Sequence, residues 1–432
     1  MRTTVPERVI TRSGISVHTV GVVSGLAAGA WLGSAEAPTK LVSAGYSPAI
    51  ISLCMVSGVF VARWTLPTLM KGTSFVLKDT LNKAHLIVWG IIAGALWAVA
   101  NTLTVFAIRD VGLSIAFPLW NTNSLVGILW GWLLFGELRG GGVRTAGKVL
   151  GGTLAILIGT VILTLASVHS QSAGLRHPLA GVLAALGASL LWGTMYVPYR
   201  KAYLSGMNPL SFVTVFTFGE LGTMITIALV SSRGLQPLLA DLHRLRPSVF
   251  WLFLGGFCWV IGDLFQHFAT KYIGISRGIP LSNTNQFWGL AWGALVFGEL
   301  AGLERVNQVA IVLASFLTLA GAVAIGAAVA KTGEVASSHG AIAREAQRYR
   351  LNYDAAVASQ SGAGDTAQAG RTRSWWDVLI VAAAVAIFGL LWRGTVAPPL
   401  QMNVGWIAAL LVVLFSVLAG AGWLLWRCTR FC

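Results

Sequence analysis

Two stretches, GLSIAFPLWNTNSLVGILWGWLLFGEL at residues 112–138 and GISRGIPLSNTNQFWGLAWGALVFGEL at 274–300, align without a gap and share 15 of 27 residues. The identities include Pro118/Pro280, Asn121/Asn283, Thr122/Thr284, Asn123/Asn285 and Glu137/Glu299. The same offset of 162 pairs Trp97 with Trp259, Asn101 with Asp263 and Arg109 with Lys271. Near the start of each half, Gly33-Ser34 with Pro38 and Lys40 echoes Gly193-Thr194 with Pro198 and Arg200. A repeat this long is the signature of a duplicated unit.

Around the repeat the chain is too apolar for a water-soluble fold. Of 432 residues, 56% are hydrophobic and 10% charged, whereas soluble domains carry about 25% charged residues. A bilayer-spanning helix needs about 20 apolar residues. Runs of that kind cover 13–35, 41–62, 86–108, 112–135 and 149–168, then 177–199, 204–230, 248–270, 278–297 and 306–330. Single acids, Glu220 and Asp263, interrupt two of them. Two further runs, 378–394 and 404–426, follow a polar segment at 331–376 that reads as a solvated linker with room for one short helix. The expected class is an all-α polytopic membrane protein. Its parts are a first five-helix unit (1–170), a second (171–330), the linker (331–376) and an appended helical hairpin (377–432).

The net charge of +15 does not indicate a nucleic-acid binder, because the basic residues sit in short segments between apolar runs. They set orientation instead. With the N-terminus in the cytoplasm, 22 of the 30 Lys and Arg residues lie inside, and 16 against 8 without the linker. Both termini are therefore expected in the cytoplasm, in the cell (inner) membrane. The first apolar run opens the repeat, so it reads as a helix rather than a cleaved signal. An odd number of spans per unit requires the second unit to be inverted. Inverted repeats give carriers two related conformations around a site between the halves. Cys54, Cys258, Cys428 and Cys432 lack metal or redox spacing. No ATP-binding loop or dinucleotide fingerprint occurs in a usable setting. No cofactor or metal is expected, and transport, if any, is gradient-driven or facilitative.

The residues GALWAVANTLTVFAIRDVGLSIAFP, SLVG and FGEL in the first unit resemble the glucose/ribose porter family of the drug/metabolite transporter superfamily. Trp97, Asn101, Gly112 and Ser114 are also similar to elements of rhamnose–proton symporters. The resemblance covers roughly residues 15–330 and implies a ten-helix secondary transporter for a small polar solute, with a monosaccharide first among the candidates. Relatives in the superfamily carry amino acids, ureides and drugs, and these remain alternatives. So does a non-transporting scaffold built on the linker and last two helices. The oligomeric state is left open.

A sugar site needs amides and hydroxyls for the sugar's hydroxyls and aromatic faces for its ring. The candidates are Asn121, Thr122, Asn123, Asn283, Thr284 and Asn285, with Trp97, Trp259 and Asn101. The triplets follow Pro118 and Pro280, where a lost backbone hydrogen bond can break a helix. The competing reading of the triplets is interhelical glue. Three successive helical residues span about 200°, so some must be glue. For proton coupling the candidates are Glu220 and the pair Asp263/His267, which shares a helix face at i,i+4. The alternative is a structural ion pair with Arg63, Lys271 or Arg277. Glu137 and Glu299 close their helices against the dipole. They read as gate or structural residues with a basic partner such as Arg139, Arg144 or Arg305.

Overall fold

In hydrocarbon each backbone polar group must be satisfied within its own segment, so the apolar runs become helices. The computed structural model describes residues 14–39, 41–42, 46–111, 116, 119–167, 178–298, 304–362, 373–396 and 402–431. The first unit contains α1 (Val17–Ser34), α2 (Pro48–Lys71), α3 (Thr73–Asn82), α4 (Ile87–Val111), α5 (Asn123–Phe135) and α6 (Val143–Ser167). The second contains α7 (Pro178–Leu204), α8 (Pro209–Ser231), α9 (Leu235–Leu245), α10 (Val249–Ile273), α11 (Ile275–Ser282), α12 (Asn285–Ala291) and α13 (Arg305–Gly326). The offset of 162 carries α3 to α9, the 3-10 turn at Ala84–Leu86 to that at Arg246–Ser248, and α4 to α10. The duplication therefore extends to the short helices and turns between the spans.

Among the described residues, ten helices are long and apolar enough to cross a membrane, against twelve runs in the sequence. The difference lies in the two triplet-bearing runs. α5 is only 13 residues long, and its counterpart is divided at Asn283–Thr284 into α11 and α12, continued by a π-helical turn at Trp292–Val296. Both runs turn at the same repeat position, Asn121–Thr122 and Asn283–Thr284. Pro280 lies inside α11, three residues before the division. Pro118 and Glu299 lie outside the described residues.

The two units interlock. α1 packs on α10 and α7 on α4, which are equivalent pairs under the repeat. α2 packs on α8 and on α10, α8 on α4, and α6 on α13. Glycines allow these approaches. A Cβ on Gly58 of α2 would lie 2.1 Å from the Phe253 carbonyl of α10, and one on Gly256 would lie 2.0 Å from the Met55 carbonyl. The α4–α8 contact repeats the device, with Gly94 against the Phe216 carbonyl at 2.1 Å and Gly219 against that of Ile91 at 2.0 Å. Such backbone-to-backbone contact is how membrane helices gain packing energy without a hydrophobic drive. Gly127 and Gly131 of α5 leave room for side chains of α11 instead, Ile279 and Ser276. Gly289 meets only the Gly33 carbonyl, at 3.7 Å.

The segment expected as a solvated linker is folded onto the bundle. It forms α14 (Thr332–Tyr349) and α15 (Tyr353–Gln360), with Ala341, Ile342 and Ala356 in the main apolar cluster. Its polar composition hid a narrow apolar face at Ala341, Ile342 and Ala346. The appended spans are α16 (Trp375–Arg393) and α17 (Val404–Thr429). Phe388 of α16 sits among Phe250, Phe253 and Phe257 of α10. Arg373 donates to the Thr68 and Leu69 carbonyls, and the Thr73 amide donates to Asp377, at 2.6, 2.7 and 2.8 Å. α17 lies on α1, with Phe415 against Trp31.

Gly58→Ala drives a Cβ into a backbone carbonyl that cannot move without shifting α10, a change expected to cost about 1–3 kcal/mol. Gly151→Ala faces open space within 4 Å. Thermal unfolding in detergent is expected to show a lowered Tm for Gly58→Ala and none for Gly151→Ala.

Candidate functional site

Three helices bring four ionisable side chains together in the apolar interior, all with zero exposure. Arg63 of α2 donates through Nη1 to Glu220 Oε2 of α8 at 2.6 Å and through Nη2 to Asp263 Oδ2 of α10 at 2.8 Å. His267 Nε2 lies 3.3 Å from the same Asp263 oxygen. This one turn of α10 places Asp263 and His267 side by side, as the i,i+4 spacing predicts. The Tyr203 hydroxyl of α7 is hydrogen-bonded to His267 Nδ1, and the Tyr199 ring stacks on the imidazole at 4.2 Å. The guanidinium of Arg63 lies 4.1 Å from the Phe216 ring centroid and 5.5 Å from that of Trp259. Trp259 in turn meets Trp97 edge-on at 5.1 Å, so the two repeat-related tryptophans touch beside the cluster.

The charges do not cancel. One guanidinium faces two carboxylates, which leaves one negative charge when His267 is neutral. A buried charge of this kind is costly unless compensated. Glu220 Oε1, Asp263 Oδ1 and the Tyr199 hydroxyl find no hydrogen-bond partner among the described residues. The cluster can thus accept one proton and become neutral, and it has free oxygens on which to hold it. Of the three cations named from the sequence, Arg63 is the partner. Lys271 donates to Ser359, and Arg277 is bound to Glu334.

The Asn-Thr-Asn triplets meet each other. Asn283 Nδ2 donates to the Asn121 carbonyl, Asn123 Oδ1 and Ser124 Oγ at 3.2, 3.0 and 2.6 Å. Thr122 and Thr284 bond back to the Leu119 and Leu281 carbonyls, and Thr122 also reaches Ser189 of α7. Asn121 Nδ2 and Asn285 Oδ1 are buried with no partner among the described residues. Most of the triplet chemistry therefore joins helices, and two amide atoms remain for other use. Asn101, the repeat mate of Asp263, donates to Ser52 at 3.2 Å, away from the ion cluster. Gln266, between Asp263 and His267 on α10, donates to Tyr196 at 2.8 Å and to Ser282, the residue before the second triplet, at 2.6 Å.

Glu137 differs from its expected pairing. Its carboxylate accepts from the Ile275 and Ser276 amides at 3.1 and 2.8 Å and pairs with Arg200 at 2.9 Å, whereas Arg139 reaches the Leu133 carbonyl and the Trp132 ring. The acid closing α5 thus caps the start of α11, where a helix N-terminus favours an anion. Arg200 also donates to the Lys271 carbonyl at the end of α10. Beside this joint lies a cavity of about 430 Å³, lined by both units and by α14, among them Val17, Glu137, Arg200, Tyr272, Arg277 and Glu334. Sequence reasoning missed Gln266, Arg200 and the tyrosines. The i, i+3, i+7 spacing of Tyr196, Tyr199 and Tyr203 was the available signal.

The units thus form a duplicated membrane bundle joined across a buried ion cluster. Residues 179–325 match the EamA-like transporter family, and the described apolar helices make the chain a multi-pass membrane protein. The chain is also similar to "Probable glucose uptake protein GlcU" of Staphylococcus epidermidis, at 24% identity over 54% of this chain and 77% of that protein. A second relative, "Glucose uptake protein GlcU" of Staphylococcus xylosus, is 23% identical over 50% of this chain and 69% of its own length. These matches accord with the resemblance to sugar porters carried by the first unit's residues.

Removing one partner of a buried pair costs about 3–5 kcal/mol. Arg63→Met is therefore expected to lower Tm severely. The triple variant Arg63→Met/Glu220→Gln/Asp263→Asn, which removes the stranded charges as well, should recover most of the loss in the same unfolding assay.

Proposed function

We propose that the protein is a secondary carrier that moves a monosaccharide-sized polar solute across the cytoplasmic membrane by alternating access, coupled to a proton. The observation that carries the reading is the Arg63–Glu220–Asp263 cluster. It joins the first unit to the second at a place where relative motion of the units must change its geometry. An odd span count makes the second unit the inverted copy of the first, and inverted copies exchange conformations to open alternately to either side. The basic excess at one end assigns that end, with both termini, to the cytoplasm. Glucose uptake in the names of the relatives supports a monosaccharide over an amino acid or ureide. The free amide atoms of Asn121 and Asn285, with Trp97 and Trp259, are the groups offered to it. A cavity of mixed polar and apolar lining contributed by both units also suits a carrier.

In this mechanism Glu220 accepts the proton on its free Oε1, which neutralises the cluster and lowers the electrostatic cost of separating Arg63 from its partners. Asp263 stays bound to Arg63 and His267, and Tyr203 orients the imidazole. Deprotonation on the other side restores the tight cluster.

Uptake of a radiolabelled monosaccharide panel into proteoliposomes, with and without an inward proton gradient, tests the reading. One sugar should enter saturably and faster with the gradient. In Glu220→Gln, counterflow exchange should persist while uphill uptake falls to background. Intact uphill uptake in that variant would remove Glu220 from coupling, and a panel with no transported sugar under any gradient would remove the sugar.

A further inference from the structure

The polar segment α14–α15 packs on one end of the bundle, in the wall of the cavity, by contacts of a kind that can be released. Glu334, in the first turn of α14, binds Arg277 through two hydrogen bonds of 2.5 and 2.8 Å, and Arg277 also donates to the Ala328 carbonyl at 2.8 Å. Farther along α14, Glu345 takes Lys201 Nζ at 3.0 and 2.9 Å, and Tyr349 stacks on His85 at 4.1 Å. In α15, Gln360 donates to the Tyr203 carbonyl at 2.7 Å, Ser359 accepts from Lys271 at 3.0 Å, and Ala356 rests against Gly206. Arg277, Lys201, Tyr203 and Lys271 belong to the second unit, while His85 belongs to the first. Gly136 and Gly140 of the first unit also touch the segment, through Ser337 and Gly333. One element therefore fastens both units at the same end.

The chemistry of this contact differs from that of its neighbours. α16 and α17 are fixed by large apolar side chains, such as Phe388 among three phenylalanines and Leu410, Leu414 and Leu425 in an apolar cluster. α14 and α15 touch the bundle through ion pairs, single hydrogen bonds and small residues, with Ile342 the only large aliphatic fully buried. Water can replace ion pairs and hydrogen bonds at modest cost, but it cannot replace buried apolar area. The cavity of about 430 Å³ has Glu334, Ser338, His339, Ile342, Val357 and Gln360 in its wall, so undocking the segment removes that wall.

We infer that residues 332–360 are a built-in gate over the linker-side mouth of the transport path, held shut by Glu334–Arg277 and Glu345–Lys201 and required to undock for the path to open on that side. The gating role rests on the carrier reading, while the covering of the cavity does not. Relative motion of the two units stretches an element fastened to both, so opening and undocking are one event. The transmembrane anchors α13 and α16 keep the segment close enough to dock again.

The test uses the full chain with Cys54, Cys258, Cys428 and Cys432 replaced and with Phe135→Cys, a cavity-lining position, as the reporter. A membrane-impermeant maleimide is applied to either face of proteoliposomes. Glu334→Gln/Glu345→Gln strands Arg277 and Lys201, and labelling should accelerate by about tenfold or more. Tryptic cleavage at Arg344 and Arg348 should accelerate in parallel. Thermal unfolding identifies a folded sample. If the double variant fails to fold, Glu345→Gln alone is expected to give a smaller change in the same direction. Unchanged labelling and cleavage in a folded variant would overturn the gate. Faster labelling and cleavage in a protein that moves no solute would establish the cover and remove the carrier reading instead.

Discussion

Arg63 is the side chain on which the interior depends. A guanidinium at zero exposure inside an apolar bundle has to be met by carboxylates, and Glu220 and Asp263 reach it from two other helices. That requirement brings α2, α8 and α10 to one point and joins the units across their interface. It also dictates the local packing. Gly58 and Gly256 remove the side chains that would hold α2 and α10 apart, five residues before Arg63 and seven before Asp263. The repeat does not reproduce this cluster. With Gly58 matched to Gly219 and Gly94 to Gly256, the positions equivalent to Arg63, Glu220 and Asp263 are Met224, Val59 and Asn101. Duplication supplied the scaffold, and the charge was placed in it once.

A second constraint governs the joint between α10 and α11. A helix that ends and restarts in a membrane protein leaves carbonyls on one side and amides on the other without partners. Arg200 covers a carbonyl at the end of α10, and Glu137 covers two amides at the start of α11. Between them Gly274 turns the chain with φ +82° while the Glu137 carboxylate occupies the space a Cβ would need, within 2.7 Å. Glu137 belongs to the first unit and the joint to the second, so the joint is another lock between halves. An acid at the end of α5 looks unfavourable only when its own helix is considered. The neighbouring helix start is what it serves.

The order of the long spans and the polar residues within them were legible in the sequence, because a 20-residue apolar run and a gapless repeat are local signals. The face shared by Asp263 and His267 was legible for the same reason. Which cation would meet them was not, since Arg63 is 157 and 200 residues away from its two partners. The triplets illustrate another limit. Their chemistry identified them, but only the meeting of Asn283 with Asn121 and Asn123 shows how much of it is spent between helices. The linker was misread because its apolar face consists of alanines and one isoleucine, too small a signal to separate docking from solvation.

Symmetry and its loss together describe the molecule. In the carrier reading, two interlocked copies of one unit, taken alone, offer two equivalent mouths and two states of similar energy. Each departure from the repeat removes that equivalence. The ion cluster lies on α2, α8 and α10 without a counterpart, and α14–α15 covers one end only. In the carrier reading, the state closed by α14–α15 gains one buried and one partly buried ion pair that the opposite state lacks. Water takes the place of those bonds when the segment undocks, so the two ends differ in what has to be released rather than by a large difference in stability. A proton on Glu220 weakens the hold of Arg63 within the bundle, but it does not touch Glu334 or Glu345. Opening at the linker end therefore needs two separate releases, one in the membrane interior and one at its surface.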